Sequence, residues 1–419
     1  MGLEFYGLEN INENVVNACT EFLKKQGVSE GKVVVEVVGK KGDNYIARVR
    51  RFVVQNDHEA KPFRMIVKIA PSDGKTRKMI QIVTLFKNES LIYNELLPKY
   101  KQFEQSAAVP EECKLRLPVC YGIHLEAPHE CIALEDLNES GFYIANRLKS
   151  LTEDEVKLII SDLAKFHALG FVFRVRENGA FEKLKSGLQN TWSYYETAEE
   201  FKAYMKFLET QVESVLDEND FKERLKGILP SFATLAVDMH ESDLYSESTI
   251  IIQGDCWTNN LLFKREGATP VEAVMLDYQL SRISSPAVDL HYLIFNCTDS
   301  ETRNGRYSEW LDYYYDNFTK YIAFYDLKAS DVYSRYNFNV DLQKYAKYSL
   351  ALTLMLASML VRESEEALDF KEEGIDATEM NVEKQFENLG VSNMKEATFR
   401  RFKERVRGVV KDFISYGYI

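Results

Sequence analysis

The sequence predicts an α+β fold in two units, a β-rich one over residues 1–134 and a mainly helical one over residues 135–419. Three observations predict it. Runs of β-branched residues broken by glycine-containing turns crowd the chain before Glu135. After it, apolar residues recur at three- and four-residue spacing, the period of a buried helical face. The length of 419 residues also exceeds the ~250–300 at which a single core stops growing.

The elements follow in order. Val15, Val16, Cys19, Phe22 and Leu23 share one face, so residues from about Asn12 to Lys25 form an amphipathic helix. GKVVVEVVGKKGDNYIARVRRFVV, from Gly31, reads as a strand, a turn over Gly39 to Asp43 and a second strand, and FRMIVKIA, from Phe63, as a third. Ile80, Val83, Leu85, Phe86 and Tyr93 mark one helix from about Thr76 to Leu97, and ECIALEDL, from Glu130, a strand running into a polar connection. Beyond it, Val156, Ile160, Leu163 and His167 fall on one helical face, which makes His167 a packed core residue. Helical patterns span Ala198 to Asp243 and Glu309 to the end, around a β-hairpin island from Thr249 to Leu280 with its turn at Gly267 and Pro270. The apolar run Tyr348 to Val361 reads as a buried helix, because crossing a bilayer takes about 20 residues.

Composition narrows the partners. With 52 basic against 65 acidic residues the net charge is −13, which argues against nucleic acid and against an anionic membrane surface. Any anion must be held locally. The six cysteines form no C-x-x-C pair and no cluster, as expected of reduced thiols rather than a disulfide framework or a zinc site. The opening MGLEFYGLENINEN carries early acids and no apolar stretch of a secretory leader, so the cytoplasm is the expected compartment. No feature of the sequence sets an oligomeric state.

One stretch carries chemistry. In IIQGDCWTNNLLF, from Ile251, Asp255 and Asn260 stand five apart after an apolar strand, and Asp277 ends a second strand just downstream. Two converging oxygen ligands suit Mg²⁺, which takes one or two carboxylates and completes its shell with phosphate and water. Asp255 is then left to accept a proton from a hydroxyl. D-x-x-x-x-N followed by a strand-terminal D matches the catalytic loop and metal-binding aspartate of kinases.

QGDCWTNNLLF with MLDYQLSRISSPAVDLHYLIF resembles the ecdysteroid kinase-like group of choline-kinase-like proteins, whose usual wording is HGD-x-W-x-x-N and D-F-Q-x-x-R-x-x-S-P-x-x-D-L. GDNY at Gly42, IVKIAP around Lys68, LFKNESLIYNELLP from Leu85, LPVCYG from Leu117, LEDLNESGF from Leu134 and LAKFHA from Leu163 agree in order, so the resemblance covers roughly residues 30 to 300. It implies a two-lobed protein-kinase-like fold of the aminoglycoside phosphotransferase and choline kinase type, with ATP between a β-rich N-lobe and a helical C-lobe. On that resemblance Lys68 holds the ATP phosphates and Glu89 orients it, Gly39 and Gly42 let the first hairpin approach the phosphates, and Glu135 to Leu137 form the hinge whose backbone meets adenine. Asp255 is the catalytic residue, Asn260 and Asp277 hold Mg²⁺, and Asp289 braces the loop backbone. Arg282 contacts that network or a phosphate, and Cys256 is incidental.

Two departures qualify it. Gln253 stands where histidine is usual, at a position that hydrogen-bonds the backbone near the metal-binding aspartate, a task within reach of an amide. Pro286 follows Asp277 by only nine positions, which leaves no room for the activation segment of a protein kinase. The expected acceptor is therefore a small-molecule hydroxyl, an ecdysteroid or xenobiotic. Trp257 either walls the acceptor pocket or packs the loop. Trp192, Tyr194, Tyr195, Tyr204 and Phe207 in one stretch, and Trp310, Tyr313, Tyr314 and Tyr315 in another, are the aromatic candidates for its lining, although aromatic residues at helical spacing are more often core than pocket. The rival readings are a choline- or aminoglycoside-type kinase with a cationic acceptor and a non-catalytic pseudokinase that binds a nucleotide or a lipophile.

Overall fold

The computed structural model describes residues 2–56, 61–367 and 390–419; residues 368–389, within the helical pattern expected from Glu309 onward, lie outside the described residues. β1 (Leu3–Tyr6), β2 (Gly31–Val37), β3 (Arg48–Gln55), β4 (Phe63–Ile69), β5 (Cys120–His124) and β6 (Cys131–Glu135) form one sheet in the order β1-β2-β3-β4-β6-β5. β1 runs parallel to β2, and the other neighbours are antiparallel. On β4, Met65, Val67 and Ile69 enter a core closed by Val15, Cys19, Phe22 and Leu23 of helix α1 (Glu13–Lys25), which Asn12 caps. The two-residue period turns Ile66 and Lys68 to the opposite face, over a cleft.

β1 and β5 carry no local signal that separates them from loop, and neither was expected. The single helix expected from Thr76 to Leu97 is instead three, α2 (Gly74–Met79), α3 (Ile82–Leu91) and α4 (Leu97–Ser106). Gln81 adopts a left-handed φ of 55° and ends the first. The Met79 carbonyl accepts from Tyr195 Oη at 3.2 Å. A π-helical turn, Ile92–Leu96, joins α3 to α4 immediately before Pro98. Proline has no N–H to give its i−4 carbonyl and its ring crowds that group, so the backbone widens there.

The helical part is organised by α5 (Glu153–Arg176), which opens with a capping box between Thr152 and Glu155 and buries residues on most of its faces. Around it lie the helices Pro286–Cys297, Tyr307–Ile322 and Ala346–Leu360 in one continuous core. The expected hairpin island is two small sheets. β9 (Leu261–Glu266) and β10 (Thr269–Met275) pair as a hairpin beside β7 (Tyr143–Ile144), whereas β8 (Ile250–Ile252) pairs with β11 (Arg282–Ser284). This arrangement sets the loop after β8 beside the loop after β10. Among the described residues no helix is long and apolar enough to cross a membrane.

Candidate active site

The loop after β8 is held by its backbone. Gly254 has φ 87°, and a Cβ there would lie 2.3 Å from the Leu280 carbonyl oxygen, so only glycine fits. Asp289 accepts from Gln253 N through Oδ2 and from Gly254 N through Oδ1, both at 2.8 Å. His167, fully buried, places Nε2 3.1 Å from Asp289 Oδ2 and Nδ1 2.9 Å from Tyr314 Oη. Asp289 thus grips the loop from behind.

Gln253 crosses to the neighbouring loop. Its Nε2 donates to the Leu276 carbonyl at 2.8 Å and to that of Asp277 at 3.2 Å, while its Oε1 accepts from Asp255 N at 2.5 Å. The amide therefore has both a donor and an acceptor in use, in a wholly buried position.

Lys68 stands at the centre of a charge cluster. Nζ lies 2.6 Å from Glu89 Oε2 on α3, 2.7 Å from Asp277 Oδ1 and 3.0 Å from Gln279 Oε1. Burial alone pulls Lys68 down, but the charges of Asp277 and Glu89 outweigh it and hold the ammonium well above its ordinary value. Burial pushes Glu89 up against the pull of Lys68. Asp277 adopts a left-handed φ of 59°, which an aspartate tolerates, and keeps 24% of its side chain exposed to the cleft.

Asp255 is 7% exposed and lies across from this cluster. Burial first, and then the charge of Asp277, raise its carboxyl well above the usual carboxylate range. Tyr292 Oη donates to Oδ1 at 2.5 Å, and Asn260 Nδ2 donates to Oδ2 at 2.9 Å. Asn260 is in turn tied to the Asp277 loop, its carbonyl accepting from Leu276 N at 2.8 Å. Hard oxygen donors from one carboxylate and one amide, opening on a cleft, fit Mg²⁺ that shares its shell with phosphate. Among the described residues no group of three or more His, Cys, Asp or Glu could hold a metal ion without such help.

The two glycines part company. Gly39 lines the cleft, but Gly42 does not: a Cβ there would come within 2.6 Å of Ala367 Cβ and 2.8 Å of an Arg147 guanidinium nitrogen. Its left-handed φ and this tight contact press the loop onto the helical part. Asn259 Nδ2 donates to the Asp43 carbonyl at 3.0 Å, and Tyr45 Oη to that of Met359 at 3.1 Å. Glu135 and Leu137, the expected hinge residues, both line the cleft. The Glu135 N–H donates to the Val119 carbonyl and its carboxylate pairs with Arg116 at 2.8 Å, so both serve the sheet edge. Asp136 pairs with Arg51 at 2.6 Å and caps the turn at Asn138.

The cleft has a volume of about 1190 Å³. Trp257, Tyr195, Phe201, Met355, Leu356 and Met359 give it an apolar wall. Trp257 lines the cleft, with its ring centroid 6.1 Å from that of Tyr45. Three of the nine aromatic candidates line the cleft. Trp192, Tyr195 and Tyr204 line the cleft, whereas Trp310 and Tyr314 are wholly buried core and Tyr313 and Tyr315 lie against that core. Arg282 reaches the Leu280 carbonyl and Tyr348 Oη, with its guanidinium on the cleft. Cys256 is buried, which pushes its thiol far up and leaves it inert.

Sequence reasoning missed three groups. Gln279 is the glutamine of the D-F-Q wording but was given no role, Tyr292 lies just past the end of that wording, and the apolar wall from Met355 to Met359 reads in sequence only as the inside of a buried helix. A helix that is apolar all round can line a cavity as readily as a core.

No curated protein matches the chain. Solved structures that follow its course include the GDP complex of a mutant aminoglycoside 2′-phosphotransferase-IIIa, at 11% identity, covering 96% of this chain and 99% of that one with a TM-score of 0.45. An ethanolamine kinase of Plasmodium vivax matches at 11% identity over 99% of this chain and 87% of its own, with a TM-score of 0.43. In sequence, residues 41–326 match the ecdysteroid kinase-like family across the elements described above, and the chain belongs to that family.

Proposed function

We propose that this chain is a phosphotransferase that moves the γ-phosphoryl group of ATP, with Mg²⁺, to a hydroxyl of a bulky and largely apolar small molecule such as an ecdysteroid or a hydroxylated xenobiotic. The observation that carries the reading is the convergence of Lys68, Glu89 and Asp277 with Asp255 and Asn260 in one cleft. Lys68, oriented by Glu89, meets the phosphates, and the nucleotide base lies against the hinge at Glu135 to Leu137 with Gly39 above the phosphates. Asn260 and Asp277 hold Mg²⁺, which when bound neutralises charge on the phosphate oxygens.

Asp255 orients the acceptor hydroxyl and takes its proton. The acceptor oxygen forms a bond to the γ-phosphorus as the bond from that phosphorus to its bridging oxygen breaks, and ADP leaves with the electron pair. A carboxyl raised by burial has more affinity for that proton than an exposed aspartate. Catalysis here is positioning and electrostatics, since the pre-formed contacts need little rearrangement during the transfer.

The apolar wall favours a lipophilic acceptor over a cationic one. Met355, Leu356 and Met359 line the cleft together with Arg282, Arg362, Glu365 and Glu366, the last engaged by Lys395 N and Thr398 Oγ1. The cytoplasm, reducing and rich in ATP, suits both the reaction and the six free cysteines.

The test is incubation of the purified protein with Mg-ATP and a panel of hydroxylated steroids and xenobiotics, read by mass spectrometry for the gain of one phosphate. Asp255→Asn should abolish that gain while Mg-ATP binding by calorimetry persists. A wild-type protein that neither binds Mg-ATP nor modifies any acceptor would overturn the reading.

A further inference from the structure

The Asp255 carboxylate is gripped from two sides by different elements. Asn260, in its own loop, takes Oδ2; Tyr292, on the helix Pro286–Cys297, takes Oδ1. Tyr292 is 4% exposed and belongs to the main core. One turn earlier on the same helical face stands Asp289, which binds the N–H groups of Gln253 and Gly254. A single buried helix therefore holds the loop by its backbone at one point and by its working side chain at the next.

We infer that Tyr292 is the positioning residue of the phosphoryl-transfer base, fixing the Asp255 carboxylate so that Oδ1 faces the helix and Oδ2 faces the acceptor. The inference rests on the reading of Asp255 as the proton acceptor. A carboxylate turns almost freely about its last torsion, so one hydrogen bond leaves it poorly ordered. Asn260 divides its N–H₂ between the Asp255 carbonyl and Oδ2, and its oxygen is the group it would offer to Mg²⁺. The Tyr292 contact comes from a different element, the core helix Pro286–Cys297, and so does not depend on the loop that carries Asn260.

A phenol also suits the task chemically. It orders the carboxylate without a positive charge, whereas a paired ammonium or guanidinium would lower the affinity of Asp255 for the incoming proton. Burial keeps the Tyr292 hydroxyl protonated, and so a donor, throughout. In the transfer the acceptor proton passes to Oδ2 while Tyr292 keeps its own.

Tyr292→Phe keeps the ring and removes the hydroxyl. The expected result is a fall in kcat of about 10- to 100-fold, with KM for ATP, KM for the acceptor and Mg-ATP binding each within about twofold. Tyr292→Leu, which also removes the ring, should add a lowered melting temperature. A phenylalanine variant with wild-type kcat, or one that loses Mg-ATP binding together with its melting transition, would make Tyr292 a packing residue and overturn the inference. A second readout needs no acceptor. The short phenol–carboxylate bond should give a strongly deshielded proton resonance that vanishes in both Tyr292→Phe and Asp255→Asn. An active wild-type protein without that resonance would sink the positioning role alone. A protein that shows it yet transfers phosphate to nothing would sink the phosphotransferase reading, and the role with it.

Discussion

The Gln253 side chain donates to the Asp277 backbone carbonyl at 3.2 Å, which ties the residue that opens the catalytic-type loop to the carboxylate proposed to hold the metal. The same amide accepts from Asp255 N, so one side chain sets the separation of two carboxylates. The departure from the usual histidine thus keeps the bridge.

Gln253→Leu removes that bridge in a place without water. Leaving the Leu276 carbonyl and Asp255 N unpaired should cost about 2–4 kcal/mol of stability and lower kcat at least about tenfold. Gln253→His, which keeps a donor and an acceptor, should stay within about threefold of wild type. Urea denaturation and steady-state kinetics on both variants check this, and equal behaviour of the two would refute the bridge.

Lys68→Met leaves Glu89 and Asp277 facing each other across a buried site. Turnover should fall by about 100-fold or more, and Mg-ATP affinity should weaken because the phosphates lose their cation. Glu89→Gln should cost less, since Asp277 and Gln279 still contact the ammonium. Calorimetric titration with Mg-ATP beside kcat measurements separates binding from chemistry; an unchanged Lys68→Met would remove the phosphate assignment.

Met355→Glu places a carboxylate in the apolar wall of the acceptor end. KM for a lipophilic alcohol should rise at least about tenfold, because the acceptor then desolvates a charge, while KM for ATP stays near the wild-type value. Loss of affinity for ATP instead would show that the wall belongs to the nucleotide.

His291 carries a pH dependence of stability. It is wholly buried among Phe295, Phe413 and Tyr418, and neither ring nitrogen has a hydrogen-bond partner. Burial pushes it down to about 3 from 6.5. Below pH 6.5 the unfolded chain takes up this proton and the folded chain does not, so this stabilisation is lost as pH falls from 6.5 toward 3. His291→Phe should therefore gain stability relative to wild type on acidification, by about 3 kcal/mol between pH 7 and pH 4. Denaturant titrations at several pH values check the slope; parallel curves for the two proteins would contradict it.

Much of the site was legible because its parts sit at fixed spacings within single elements. Asp255 and Asn260 are five apart in one loop, Asp277 follows a strand, and Lys68 alternates with the buried Met65, Val67 and Ile69. The resemblance puts Gly42 near the phosphates, and the tight packing of that position against Arg147 and Ala367 is visible only in the tertiary structure. The aromatic stretch around Trp310 misled for a similar reason, since an aromatic residue reads alike in a core and on a pocket wall.

By itself the sequence determined the α+β order of elements, the change from strand to helix near Glu135, and the candidates proposed to bind phosphate and metal. These depend on periodicity and on motifs within a few residues, which local backbone geometry translates directly. Only the tertiary structure decided that Tyr292 reaches Asp255, that Gln279 joins Lys68, and that the helix Ala346–Leu360 walls the cleft. Those contacts join positions as much as 211 residues apart. They arise from how the sheet and helices pack, a relation that spacing along the chain does not encode.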